Sequence, residues 1–126
     1  MRRLITILVL VAAALVHDRS IIERAHAAAA SSDITVGGEI LDLACYIAHG
    51  ARGPDHQKCA QKCAEQGQPI GLLGSDGKVY ILIADHADGS PYDKARTLAG
   101  SKAEIKGEPA SKDGINGLTV HDVKKL

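Results

Sequence analysis

A mainly β fold is predicted: a small five-stranded barrel, interrupted after its first strand by a short helical insert that carries cysteines. Three observations carry this reading. Five segments show strand-like alternation, and they are separated by turn-forming Gly, Asp and Pro. The stretch Asp55 to Gln66 has the punctuation of a helix instead. The chain has no Trp, no Phe and only three tyrosines, Tyr46, Tyr80 and Tyr92, so its core must be built from Ile, Leu, Val and Ala.

The first 30 residues read as an export leader. Arg2 and Arg3 precede a 13-residue apolar run, Leu4 to Val16. A bilayer-spanning helix needs roughly 20 residues, so this run is too short. Ala25-His26-Ala27 fits an A-x-A cleavage site, although the polar stretch His17 to Arg24 is long for the segment between the two. The expectation is a signal peptide and cleavage region at 1–30, a single domain at 31–126, and a periplasmic or secreted protein with no membrane span after cleavage. From Ser31 onward, 11 basic residues face 13 acidic ones, a net charge of −2. That balance argues against nucleic acid or an acidic membrane as a partner.

Strand one is expected over about 34–45. Ile34-Thr35-Val36 alternates, Gly37-Gly38 marks a bulge or bend, and Leu41, Leu43 and Cys45 then share one face. Gly50 to Pro54 is a loop. The helix follows, with Asp55 as N-cap, Gly67 as stop and Pro69 preventing continuation. Ile70 to Leu73 is a short strand, Asp76-Gly77 a hairpin turn, and Val79 to Ala84 the most apolar strand. Asp85 to Pro91 is a polar loop, and Tyr92 to Ala99 a short helix. Lys102 to Glu108 alternates as a half-exposed strand, Asp113-Gly114 turns, and Leu118 to Val123 closes the chain as the fifth strand. The core is expected to rest on Val36, Leu41, Leu43, Leu73, Val79, Ile81, Ile83, Ile105, Leu118 and Val120.

Five strands with a helix between the third and fourth is the order of an OB-fold barrel. The chain also resembles a group of small exported bacterial proteins, largely uncharacterised. The residues that carry the resemblance are Cys45-Tyr46, Gly50, Gly53, His56, Cys59-Ala60, Cys63-Ala64, Gly67, Pro69, Gly71-Leu72-Leu73, Asp76-Gly77 and Val79-Tyr80. It covers about residues 36 to 124 and implies an OB-like exported domain, without an activity.

The chemistry concentrates in one segment. All three cysteines, Cys45, Cys59 and Cys63, lie within nineteen residues, together with His49 and His56. On a helix His56, Cys59 and Cys63 are spaced i, i+3, i+7 and project from one face, with Lys58, Lys62 and Glu65 on the other. Soft thiolates with imidazole suit Cu(I) or Zn(II). The expected site is therefore one thiophilic metal ion, copper or zinc, held by Cys45, His56, Cys59 and Cys63, with His49 as a further candidate ligand. Cys-x13-Cys-x3-Cys matches no standard zinc-finger spacing, and the absence of Cys-x2-Cys disfavours thioredoxin-type chemistry.

A disulfide is the competing use of the same residues. Cys45 bridged to Cys59 or Cys63 closes a loop of about 15–19 residues, for a stabilisation of about 3 kcal/mol. An odd number of cysteines leaves one thiol over. No Ser-His-Asp order or nucleophile elbow is present, and Asp85, Asp88 and Asp93 lack calcium-loop spacing. The expected function is an exported metal-binding protein in storage, delivery or sensing, with the metal or a periplasmic protein as partner. The alternative is a non-catalytic periplasmic binding module with a structural disulfide.

Overall fold

Residues 32–126 are described by a computed structural model, and the expected leader lies outside them. The elements are β1 (Ile34–Asp42), α1 (Leu43–His49), a 3-10 turn (Pro54–His56), α2 (Gln57–Glu65), β2 (Ile70–Gly74), β3 (Val79–Ala84), α3 (Ser90–Thr97), β4 (Lys102–Lys112) and β5 (Ile115–Lys125). The strands close into a barrel in the order β1-β2-β3-β5-β4. All neighbours are antiparallel except β3 and β5, which run parallel. This is the strand order of a small OB-like barrel, with α3 between β3 and β4.

β1 closes the barrel by pairing on both sides. Its first part lies along β4, from Ile34↔Gly107 to Glu39↔Lys102, and its second along β2, from Gly38↔Gly74 to Asp42↔Ile70. Gly38 stands where the two pairings overlap. A Cβ there would collide with the carbonyl oxygen of Leu73, so the bend expected at Gly37-Gly38 is a close approach of backbones. β4 and β5 slip register between Lys106 and Gly107. Lys106 faces Asp122 and Gly107 faces Val120, which leaves His121 as the extra residue of a bulge.

The core contains Ile40, Ile70, Leu72, Tyr80, Leu82, Ile105, Leu118, Val120 and Val123, joined by four helix and loop alanines, Ala60, Ala64, Ala95 and Ala99. Alanine is what allows α2 and α3 to sit directly on the barrel, because a small side chain brings a helix backbone close. Ala103, Ile105 and Gly107 point inward along β4 as the alternation predicts, while Lys102, Lys106 and Glu108 are exposed.

Several expectations are corrected. β3 shows its other face to the core: Tyr80 and Leu82 are buried, whereas Ile81 and Ile83 are 38% and 42% exposed and Val79 is half-buried. Both faces of Val79–Ala84 are apolar, so alternation could not say which turns inward. Val36 and Leu73 are half-buried rather than central. β1 ends at Asp42, and Cys45 lies on a helix rather than on the strand. Asp55 is not a cap: Pro54 opens a 3-10 turn that runs through it into α2.

Candidate metal centre

Asp42 turns the chain from strand to helix. Its Oδ1 accepts the backbone N–H of Ala44 at 3.0 Å, which satisfies one of the free donors at the start of α1. Cys45 thereby points from the first turn of a helix anchored on the end of β1. The amide of Gly50 closes α1 by donating to the carbonyl of Tyr46 at 2.8 Å. The loop then crosses back over β1, where the amide of Gly53 donates to Glu39 Oε1 at 2.6 Å.

α2 is fixed by its own sequence pattern. Ala60 and Ala64, four apart, form the buried stripe that seats it on the barrel. The Gln57 side-chain amide donates to Ser101 Oγ at 2.8 Å and pins the first turn. With this stripe down, the neighbouring stripe of His56, Cys59 and Cys63 turns toward α1, and Lys58, Lys62 and Glu65 are exposed.

The three cysteines come together. Their sulfur atoms lie within 4.8 Å of one another, close enough to hold a metal ion, and all three are free thiols. Cys45 and Cys63 are half-buried and Cys59 is exposed, so the cluster opens to solvent on one side. His56 belongs to a second set among the described residues: one ligand atom each from Asp42, Cys45 and His56 also lies within 4.8 Å of the others. The two sets share Cys45. His49, at the far end of α1, is exposed and falls in neither.

Asp42 is the member that sequence reasoning missed. The signal was present, since an Asp directly before Leu43-Ala44 is a good N-cap. The Leu41, Leu43, Cys45 alternation read as strand and concealed it. Asp42 is only 1% exposed, and no well-formed hydrogen bond reaches its Oδ2. Burial raises its pKa, but the thiols of Cys45 and Cys63 and the amides of Ala44 and Cys45 outweigh that and hold it below the ordinary carboxylate value.

The same carboxylate acts on the thiols. Cys45 is pushed up to about 12, first by its hydrogen bond to Asp42, then by burial and by the carboxylate's charge. Cys63 is raised by burial first, then by Asp42 and by Cys59. Without a bound cation these two thiols stay protonated at neutral pH. A metal that takes them as thiolates displaces their protons, which couples binding to proton release.

Other polar residues of interest are occupied elsewhere. His121, at the β5 bulge, stands between Asp33 (Nδ1 to Oδ1, 2.9 Å) and Asp85 (Nε2 to Oδ2, 3.2 Å). Asp85 and Asp88 also accept the amides of Ala87 and Ser90, as turn and cap residues do.

Fold and site together define a small OB-like barrel with a cysteine cluster on an insert after its first strand. Compared with protein-family models, curated proteins and solved structures, the chain matches none of them. Among the described residues no helix is long and apolar enough to cross a membrane.

Proposed function

We propose that the protein is an exported carrier of a thiophilic metal ion, Cu(I) or Zn(II), held by Cys45, Cys59 and Cys63 and serving storage, delivery or sensing. The single observation that carries this is the convergence of three sulfurs from two helices within 4.8 Å. Three thiolates form a strongly soft donor set, which favours these ions over hard cations such as Mg(II). The exposure of Cys59 favours a cargo role over a purely structural one. Structural zinc sites are closed, whereas an exposed thiolate lets an incoming ligand replace it and draw the ion away. Export fits this use, because the leader pattern would carry the thiols into an oxidising compartment, where a bound ion protects them.

The same proximity supports the second reading, a structural disulfide from Cys45 to Cys59 or Cys63. One experiment separates them. Purified chain, as isolated and after anaerobic reduction, is assayed for bound metal and titrated for free thiols before and after chelation. The metal reading expects uptake of Cu(I) or Zn(II) by the three-sulfur set, three thiols after chelation, and loss of that ion in Cys59→Ser. One free thiol, no bound metal, and no uptake even after reduction and loading would end it in favour of the disulfide.

A further inference from the structure

The three-sulfur set leaves two buried polar atoms unexplained beside it. Asp42 Oδ1 is used as a helix cap, but Oδ2 is buried in a residue only 1% exposed, and no hydrogen bond of good geometry reaches it, although the Cys45 and Cys63 thiols stand near the carboxylate. Nε2 of His56 is also buried without a partner. Native proteins rarely leave such groups unpaired, and where they do, an ion or water is a common reason. Both atoms belong to residues whose ligand atoms lie within 4.8 Å of each other and of a ligand atom from Cys45.

We propose that Asp42, Cys45 and His56 form a second metal site, taking a borderline divalent cation of the Zn(II) type and sharing the Cys45 thiolate with the three-sulfur set. The inference rests on the metal reading of the cysteines only in that Cys45 serves both ions. One oxygen, one nitrogen and one sulfur are a donor set that zinc accepts, with bonds of about 2.0–2.3 Å. A small inward movement from the observed separations brings one ion into reach of all three. A carboxylate is a poor ligand for Cu(I), so the two sets differ in preference: three thiolates for the softer ion, the mixed set for Zn(II). An ion held by Oδ2 of Asp42 and Nε2 of His56 would give both atoms a partner, and the Asp42 carboxylate offsets part of the added positive charge. A thiolate has enough lone pairs to bridge two cations, and Cys45 is the residue common to both sets.

The test uses full-length chain, reduced and stripped of metal anaerobically, then equilibrated with Zn(II) and desalted. Zinc per chain is counted by mass spectrometry. The expected result is two ions in the wild type, one in His56→Ala and one in Asp42→Asn. Asn caps a helix about as well as Asp, so Asp42→Asn removes the charge while keeping α1. His56 makes no side-chain cap to α2, so His56→Ala leaves that helix its backbone contacts. Cys59→Ser is expected to keep the second ion. In that variant Co(II) in place of zinc should show sulfur-to-metal charge transfer from one thiolate, with imidazole coordination. A wild type that binds one ion overturns the two-ion assignment; survival of that ion in His56→Ala leaves the cysteine site standing, and its loss there with survival in Cys59→Ser overturns the three-sulfur site instead. A wild type that binds none overturns both. Two ions that persist in His56→Ala and in Asp42→Asn place the second ion elsewhere and overturn this assignment.

Discussion

The barrel and the cysteine insert are held by different means. In the barrel every strand has two paired neighbours, and its interior is filled by aliphatic side chains of zero or near-zero exposure. The insert, residues 43–69, has no strand ladder. Its ends are closed by the backbone bond from Leu43 N–H to the Pro69 carbonyl at 3.0 Å, and it is attached by the buried Leu43, by Glu39 to Gly53, by Gln57 to Ser101, and by the small faces of Ala60 and Ala64. The first region is stabilised mostly by area removed from water, the second by a few directional contacts, the buried Leu43 and two alanines. A region of the second kind opens locally with little cost to the rest. That would suit the cargo role proposed for the cysteine cluster.

The largest expected effect falls on the barrel and is shared by both regions. Leu72, fully buried on β2, lies in the common core with Ala60 and Ala64. Leu72→Ala is expected to cost about 2–5 kcal/mol through lost transfer energy and the cavity left behind. Denaturant unfolding should show barrel and insert melting together, with metal uptake lost only as the chain unfolds. Uptake lost at denaturant concentrations where the barrel is intact would show that Leu72 supports the insert separately.

Gly100 offers the opposite experiment. It has φ +77°, and a Cβ there would lie 2.6 Å from the Cα of Gln57, in the first turn of α2. Gly100→Ala therefore meets both a conformational penalty of roughly 1–2 kcal/mol and a backbone contact that has to move. Hydrogen exchange should report the change at α2, with amides of residues 57–65 losing protection while the β2–β3 ladder keeps its own. Uniform loss across the barrel would mean that insert and barrel are one cooperative unit.

The smaller attachment is Glu39. Removing its carboxylate in Glu39→Ala leaves the Gly53 amide without its acceptor, at an expected cost of about 1 kcal/mol. The loop that returns α2 toward α1 is then free to drift. Weaker Zn(II) retention against a competing chelator, with little change in melting temperature, is the expected outcome. Equal retention would show that Ala60, Ala64 and Gln57 position the thiols without the loop.

How much of this was visible in the chain differs between the two regions. The strand order and the turns at Asp76-Gly77 and Asp113-Gly114 were legible because turn chemistry is local and Gly, Asp and Pro announce it. The stripe of His56, Cys59 and Cys63 was legible for the same reason, since a helix period is read from spacing alone. The inward face of β3 was not. Val79, Ile81 and Ile83 are as apolar as Tyr80 and Leu82, and only pairing with β2 and β5 decides which set faces the core. The place of Cys45 was hidden by a conflict of two local signals. Leu41, Leu43 and Cys45 alternate like a strand, while Asp42 caps a helix, and the cap prevailed because β1 has already handed its last ladder bonds to β2 at Asp42↔Ile70. Asp42 entered the site only with that turn.

The smallest expected effect is a pH dependence confined to the barrel. The Tyr80 hydroxyl donates to Asp76 Oδ2 at 2.8 Å, beneath the β2–β3 turn. That bond, with the amide of Lys78, lowers the Asp76 pKa from 3.8. It also raises the Tyr80 pKa from 10.0, with burial and the carboxylate's charge adding to the shift. A lowered carboxylate contributes stability that is present above its unfolded value and lost as pH falls through the folded one; a raised phenol contributes stability present below its unfolded value and lost as pH rises through the folded one. The pair is therefore complete from about pH 4 to pH 10 and fades on both sides. Tyr80→Phe keeps the buried ring and removes the hydroxyl. The difference in denaturation midpoint between wild type and Tyr80→Phe should be constant through neutral pH and shrink below 3.8 as Asp76 protonates. The cysteine cluster should not register the change, because Asp76 and Tyr80 belong to neither ligand set. A midpoint difference independent of pH would assign the hydroxyl's contribution to packing. A parallel change in metal retention would show that the barrel's turn and the insert are coupled after all.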